Sequence, residues 1–387
     1  MAPDEGRTTV LVEPDPNGHR FQAVAEVASV ALRSGPVVLL TSSGASASEW
    51  FGAFLTGLPI EVVERFDGIY PPTRQLAAAV AELARTRDVG TVVVMDADES
   101  LKRWWYAAAL AFRRLPRRPR VVFMLTRYIA RVELLDWRNW YLRTSKALLV
   151  LLAMLTRTLD RAGGFAGRDD FSEGRLVKRL RDPAVCSSHS RDRERLRREL
   201  GLPADVRIVG IIGLIDARKS VPLVYEATLA SGDEARLLVA GVIQDDVGAW
   251  LDSQPAVALD RMLLRRRHLE NDELDQLVAA CDVVSVVQLN KGPSGIMGKA
   301  LAAGVPVVTA GSKVRARELS VTRAGLAAEM APDSIAAALR ELYEWAPDAV
   351  GSAGVALPTT DAFAERLLGV GPDGLLPGAA RRFEVGS

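Results

Sequence analysis

Two basic side chains bracket a glycine-bearing loop in the last third of the chain. The loop is Lys291-Gly-Pro-Ser-Gly295, and Lys299 lies eight positions beyond the first lysine, inside Ile296–Ala303, a run rich in helix formers. The preceding Asp282-Val-Val-Ser-Val-Val287 predicts a buried strand. Gly304 stops the helix, as glycine does past a C-terminus, and Val305-Pro-Val-Val-Thr309 predicts the next strand. Strand, glycine loop, helix and strand make one βαβ unit. Its loop turns the free N–H groups at Ser294 and Gly295, and the positive end of a helix dipole, toward whatever lies before them. A phosphate group suits that place.

A second such turn opens at Arg207-Ile-Val-Gly-Ile-Ile-Gly213, a buried strand with a closing glycine. Leu214-Ile-Asp-Ala-Arg-Lys219 and a helix over Pro222–Ala230 follow. Arg218 and Lys219 together form either an ordinary basic helix start or an anion site. Cations are disfavoured at helix N-termini, so two of them there point to a bound anion.

The elements that must position these residues alternate along the whole chain. Strands are predicted at Thr8–Val12, Val37–Thr41, Ile60–Val63, Thr91–Met95 and Arg120–Leu125. Helices are predicted at 21–33, 49–56, 73–87 and 101–115. Strands alternating with helices predict a doubly wound, mostly parallel α/β sheet, whose ligands sit at the carboxyl ends of the strands. The residues there include Asp15, Asn17, His19, Ser42, Asp96, Asp98, Thr126 and Arg127. His19 binds a substrate or is an incidental residue of a helix-entry turn. Asp96 and Asp98 orient a hydroxyl or, with Ser100, cap the next helix. Arg127 holds a phosphate or pairs with an acidic neighbour. Residues 168–181 and 191–199 are charged runs, the first poorly periodic and the second a solvated helix.

Cys281-Asp-Val-Val-Ser-Val, the polar pair Lys291 and Lys299, and Ala300-Leu-Ala-Ala-Gly-Val-Pro-Val-Val308 resemble the donor loop of GT-B glycosyltransferases. The retaining group called family 4 is the nearest. That group carries Glu, seven residues, Glu where this chain has two lysines. A lysine donates hydrogen bonds where a carboxylate accepts them. The resemblance implies two Rossmann-like domains facing a cleft: an acceptor-side domain over 1–182, a donor-side domain over 183–350, and a segment 351–387 returning to the first. It places the Pro14–His19 loop at the cleft mouth and makes His19, Asp96 and Arg127 candidates for the chemistry. Gly213 and Lys219 match the family's diphosphate turn, Leu214 replaces its arginine, and Arg218 supplies that charge from nearby. Glu318 matches a later donor-site glutamate. The implied activity is transfer of a sugar from a nucleoside diphosphate sugar, with retention, to an acceptor that the sequence does not name. The nucleotide sugar enters as substrate, with no separate cofactor and no metal. Two rivals share the fold: a binding protein altered at both motif glutamates, and a sugar-nucleotide epimerase, whose arginine- and histidine-rich signatures are missing.

The 387 residues suffice for two domains. Lys and Arg number 49 against 48 Asp and Glu, a net charge of +1 that argues against a globally basic nucleic-acid binder. Two distant cysteines, Cys186 and Cys281, and a polar Met1–Thr8 fit a reducing cytoplasm with no secretory leader. The longest apolar run, Ala147–Leu155, is about half of what a membrane span needs. Basic residues interleave with aromatics in Lys102–Arg120 and in Trp137–Lys146. This pattern suits peripheral membrane contact through the N-terminal domain. It equally suits helices whose tryptophans and leucines fill a core while their arginines are solvated.

Overall fold

The computed structural model describes residues 6–128, 137–289, 294–345, 350 and 356–371. The chain divides into two compact units. The first holds Met1–Ala166, Asp170–Arg181 and Thr360–Ser387, and the second holds Gly167–Asp169 and Asp182–Thr359.

In the first unit, β1 (Thr8–Val12), β2 (Val37–Ser42), β3 (Glu61–Phe66), β4 (Val89–Val94), β5 (Arg120–Leu125), β6 (Arg161–Ala166) and β7 (Val177–Arg181) form one parallel sheet. Its order is β3-β2-β1-β4-β5-β6-β7. The central strands are largely buried and rich in Val and Leu, as strands covered on both faces must be. Helices α1 (His19–Ala31), α2 (Glu49–Phe54), α3 (Thr73–Thr86), α4 (Leu101–Phe112) and α5 (Trp137–Leu155) connect them. Trp104 of α4 is wholly buried between Phe112 and Phe123, and its indole N–H donates to the carbonyl of Thr158 at 2.7 Å.

In the second unit, β8 (Arg207–Ile212), β9 (Ala235–Gly241), β10 (Met262–Arg266), β11 (Val283–Val287), β12 (Val307–Ala310) and β13 (Gly325–Ala327) form a second parallel sheet, ordered β10-β9-β8-β11-β12-β13. Helices α6 (Arg193–Glu199), α7 (Val221–Ser231), α8 (Asp245–Asp252), α9 (Ala256–Leu259), α10 (Asn271–Ala280), α11 (Gly295–Ala302), α12 (Lys313–Thr322) and α13 (Pro332–Tyr343) complete the unit. The last helix, α14 (Thr360–Leu368), packs on α1 of the first unit. Arg33 pairs there with Asp361 and Glu365, and Arg120 and Arg161 donate to the carbonyls of Leu368 and Arg366.

Two expectations fail locally. Residues 161–181 contain two strands, and Arg168, inside the predicted charged run, is wholly buried. Helix α5 keeps its aromatics out of the core, and of its leucines Leu149 packs against the core only partly buried. Trp137 is 79% exposed, and Tyr141, Leu148 and Leu155 are exposed with it. Only Val150 and Ala153 of that helix are fully buried, because a single strip of it covers the sheet. Among the described residues no helix is long and apolar enough to cross a membrane.

Candidate functional site

Each sheet reverses its strand order once, between β1 and β4 in the first unit and between β8 and β11 in the second. Crevices at such switch points are where open α/β sheets bind ligands.

The first crevice is floored by ion pairs. Glu13 and Asp15 follow β1, Asp96 follows β4, and Arg20 in the first turn of α1 reaches all three, at 3.3, 3.1 and 2.7 Å. Burial pushes the Glu13 carboxyl up to about 7, against the opposing pull of Arg20. A pocket of about 530 Å³ opens over these residues, with Tyr70, Thr73, Lys102, Arg103 and Arg127 among its lining. Asp96 and Asp98 do not cap α4. Ser100 stands at the N-cap without a capping hydrogen bond. The Thr126 hydroxyl donates to Asp96 at 3.0 Å and to Asp98 at 3.1 Å, and the Arg127 N–H donates to Asp98 at 2.9 Å. Lys146 of α5 donates to Asp98 and to the Arg127 carbonyl. Asp98 therefore ties the ends of β4 and β5 together, while Asp96 faces the pocket. The Arg127 side chain is mostly exposed and meets Glu99 at 3.4 Å. His19 begins α1, and its side chain lies outside the described residues.

The second crevice is built from glycine and lysine. Gly213 leaves β8 with φ +100°, a conformation that suits glycine. A Cβ on Gly241, at the end of β9, would overlap the carbonyl of Gly213. Lys219 folds back onto this turn, its Nζ donating to the carbonyl of Ile212 at 2.6 Å and lying 3.7 Å from where a Cβ on Gly213 would stand. Burial pulls its ammonium down to about 8. Arg218 is exposed and paired with Asp216, at 2.5 Å. Ser294 caps α11, accepting from Met297 N–H at 3.4 Å, and Gly295 is the first residue of that helix. Lys291 lies outside the described residues. Lys299 pairs with Asp275 at 2.5 Å, and the other oxygen of Asp275 accepts from Ser187 N–H.

Beneath α11 lies Arg168, donating to Glu318 at 2.9 Å, to Asp182, and at 3.4 Å to the carbonyl of Ser294. Glu318 is 0% exposed, so this carboxylate supports the helix from below. A Cβ on Gly298 would overlap the Arg168 guanidinium. Glycine there lets the arginine pass under the helix.

Sequence reasoning missed Glu13, Arg20, Arg168 and Asp275. Glu13 and Arg20 sit seven residues apart across a strand-to-helix turn, the spacing that joins a strand end to the first helical turn. Arg168 and Asp275 gave no local signal. Among the described residues no group of three or more His, Cys, Asp or Glu side chains is placed to hold a metal ion.

No protein-family model matches the chain, and no curated protein matches it by sequence. Solved structures do. HepE from Anabaena, in complex with UDP-glucose, is 18% identical, with 93% of this chain and 95% of that chain covered and a TM-score of 0.59. A glycosyltransferase from Rickettsia africae is 11% identical, with coverages of 97% and 96% and a TM-score of 0.63. A protein from Listeria monocytogenes described as a candidate UDP-N-acetylglucosamine 2-epimerase is 14% identical, with coverages of 93% and 94% and a TM-score of 0.56. The chain thus has the two Rossmann-like domains of the GT-B fold, and its structural neighbours include GT-B glycosyltransferases.

Proposed function

We propose that the protein transfers a hexosyl group from a nucleoside diphosphate sugar to an acceptor. The donor is held at the second crevice and the acceptor in the first. The observation that carries this reading is the turn after β8. A half-buried lysine is fixed by one hydrogen bond to Ile212, which leaves its other protons for an anion beside Gly213. The free N–H groups at the start of α11 add to it. These groups meet the charge that develops on the leaving diphosphate. Retention of configuration follows from the family resemblance and is tested by NMR of the product anomer.

HepE was solved with UDP-glucose, which supports a uridine nucleotide as the first donor to try. Thermal-shift titration with UDP, GDP and their sugars reads this directly, because a ligand of the native state raises the melting temperature by mass action. One diphosphate nucleotide should stabilise the protein, and Lys219→Ala should weaken it by about tenfold, the loss of a charge-assisted contact of ~1.4 kcal/mol.

A second reading is favoured by Lys299. Where the resemblance places a ribose-binding glutamate, this chain holds a lysine tied to Asp275. On that reading the protein binds a nucleotide or a phosphorylated ligand, or partners an active transferase, without catalysis. Hydrolysis of a donor that binds would exclude it.

A peripheral contact with the inner face of a membrane belongs to the same proposal. Helix α5 exposes Trp137, Tyr141, Leu148 and Leu155, and Arg143 lies 5.5 Å from the Trp140 ring centre. Exposed Arg113 and Arg114 follow α4. Aromatic and aliphatic side chains among arginines suit an anionic lipid surface.

A further inference from the structure

The pocket of the first unit has opposite chemistry at its two ends. On its floor three carboxylates share one cation, Arg20. Glu13 Oε1 accepts from Asp15 N–H at 3.0 Å and from Arg20 at 3.3 Å. Its other oxygen, Oε2, takes no hydrogen bond among the described residues, and Glu13 lines the pocket. A pocket-lining carboxylate oxygen without a protein donor can accept a hydrogen bond from a ligand hydroxyl. At the rim the balance reverses. Lys102 and Arg103 line the same pocket, are exposed, and have no ion pair among the described residues. Ile69, Tyr70 and Pro71 add an apolar wall. A cationic ligand would satisfy Glu13 but be repelled at the mouth. A neutral sugar would leave both rim cations unused.

We propose that this pocket takes a phosphorylated saccharide as acceptor, its hydroxyls donating to Glu13 and Asp96 and its phosphate held by Lys102 and Arg103. About 530 Å³ lies within the range of small-molecule sites and accommodates a hexose phosphate. The proposal rests on the glycosyltransferase reading and adds the class of acceptor. The phosphate belongs either to a free sugar phosphate or to the headgroup of a lipid.

Calorimetric titration of the full chain with glucose and with glucose 6-phosphate tests it. Sedimentation with phosphatidylcholine vesicles, with and without phosphatidylinositol, supplies a polyol phosphate on a lipid. Glucose 6-phosphate should bind at least about tenfold more tightly than glucose. The double variant Lys102→Ala/Arg103→Ala, altered only at exposed positions, should bring the two sugars together. Glu13→Gln should weaken both alike. Binding confined to phosphatidylinositol vesicles, and lost in the double variant, supports the proposal with a lipid source. Equal binding of the two sugars overturns it, and so does glucose 6-phosphate binding that the double variant leaves intact. If neither phosphorylated probe binds while UDP still stabilises the chain, the proposal fails and the glycosyltransferase reading stands. If UDP fails as well, both fall.

Discussion

The strands flanking the first crevice end in carboxylates, whereas β8 at the second ends in glycine and is followed by a lysine. The sheets beneath them are alike: parallel, buried on both faces, and reversed once in strand order. The loops set the charge. Glu13 and Lys219 are each driven toward the neutral form by burial, the acid up to about 7 and the base down to about 8. Similar sheets thus hold a floor that wants hydrogen-bond donors and a turn that wants an anion. On the proposed function, the first would take the acceptor and the second the donor.

The strongest way to break this comparison is to remove what braces one side of it. Arg168 is wholly buried, with Glu318 and Asp182 as partners. Arg168→Ala leaves a fully buried carboxylate uncompensated beneath α11. It should cost about 3–5 kcal/mol, read as a lowered urea midpoint. Arg168→Met/Glu318→Leu should recover much of that loss, since an apolar pair can replace a buried ion pair. A midpoint unchanged in Arg168→Ala would show that the pair is not a brace.

The next effect sharpens the acidic side. The native state holds the Glu13 proton up to about 7, whereas the unfolded chain releases it near the ordinary value of 4.5. Between those values the native state binds more protons than the unfolded state, so stability falls as pH rises. The contribution is complete below about 4.5 and lost through about 7, at most about 3 kcal/mol for the shift. Glu13→Gln should flatten that slope in melts taken across the window. A slope that survives the substitution assigns it to other groups.

Most of both sheets was legible because the central strands are runs of Val, Ile and Leu that end in glycine, proline or acid. β6 and β7 were not. Gly163 and Gly164 remove the apolar signal from β6, and both are small for a packing reason: a Cβ would strike Leu180 at one and Tyr128 at the other. β7 reads as charge because it is an edge strand. The phosphate-suited turn at Gly213 was legible because its parts are consecutive. Arg168 was not, since Glu318 lies 150 residues away. Glu13 hid for the same reason, since the Arg20 that it meets is shared with the distant Asp96. The pairing of Lys299 with Asp275 also crosses between helices, and no spacing within α11 announces it.

The smallest effect tests the basic side, and its sign is opposite to that at Glu13. Lys219 is held below the ordinary lysine value of 10.5, at about 8. From there up to 10.5 the native state binds fewer protons than the unfolded state, so this residue makes stability rise with pH. A phosphate bound beside its Nζ favours the charged form and raises that value. Nucleotide binding at pH 8 should therefore draw up to about half a proton from solution, and close to none at pH 6.5, where the ammonium is already charged. Calorimetry of UDP binding in buffers of different ionisation enthalpy measures this uptake. Lys219→Met should abolish it while leaving the pH slope assigned to Glu13 in place. Equal uptake in the wild type and in Lys219→Met would remove Lys219 from the anion site and leave the N–H groups of α11 to hold the phosphate.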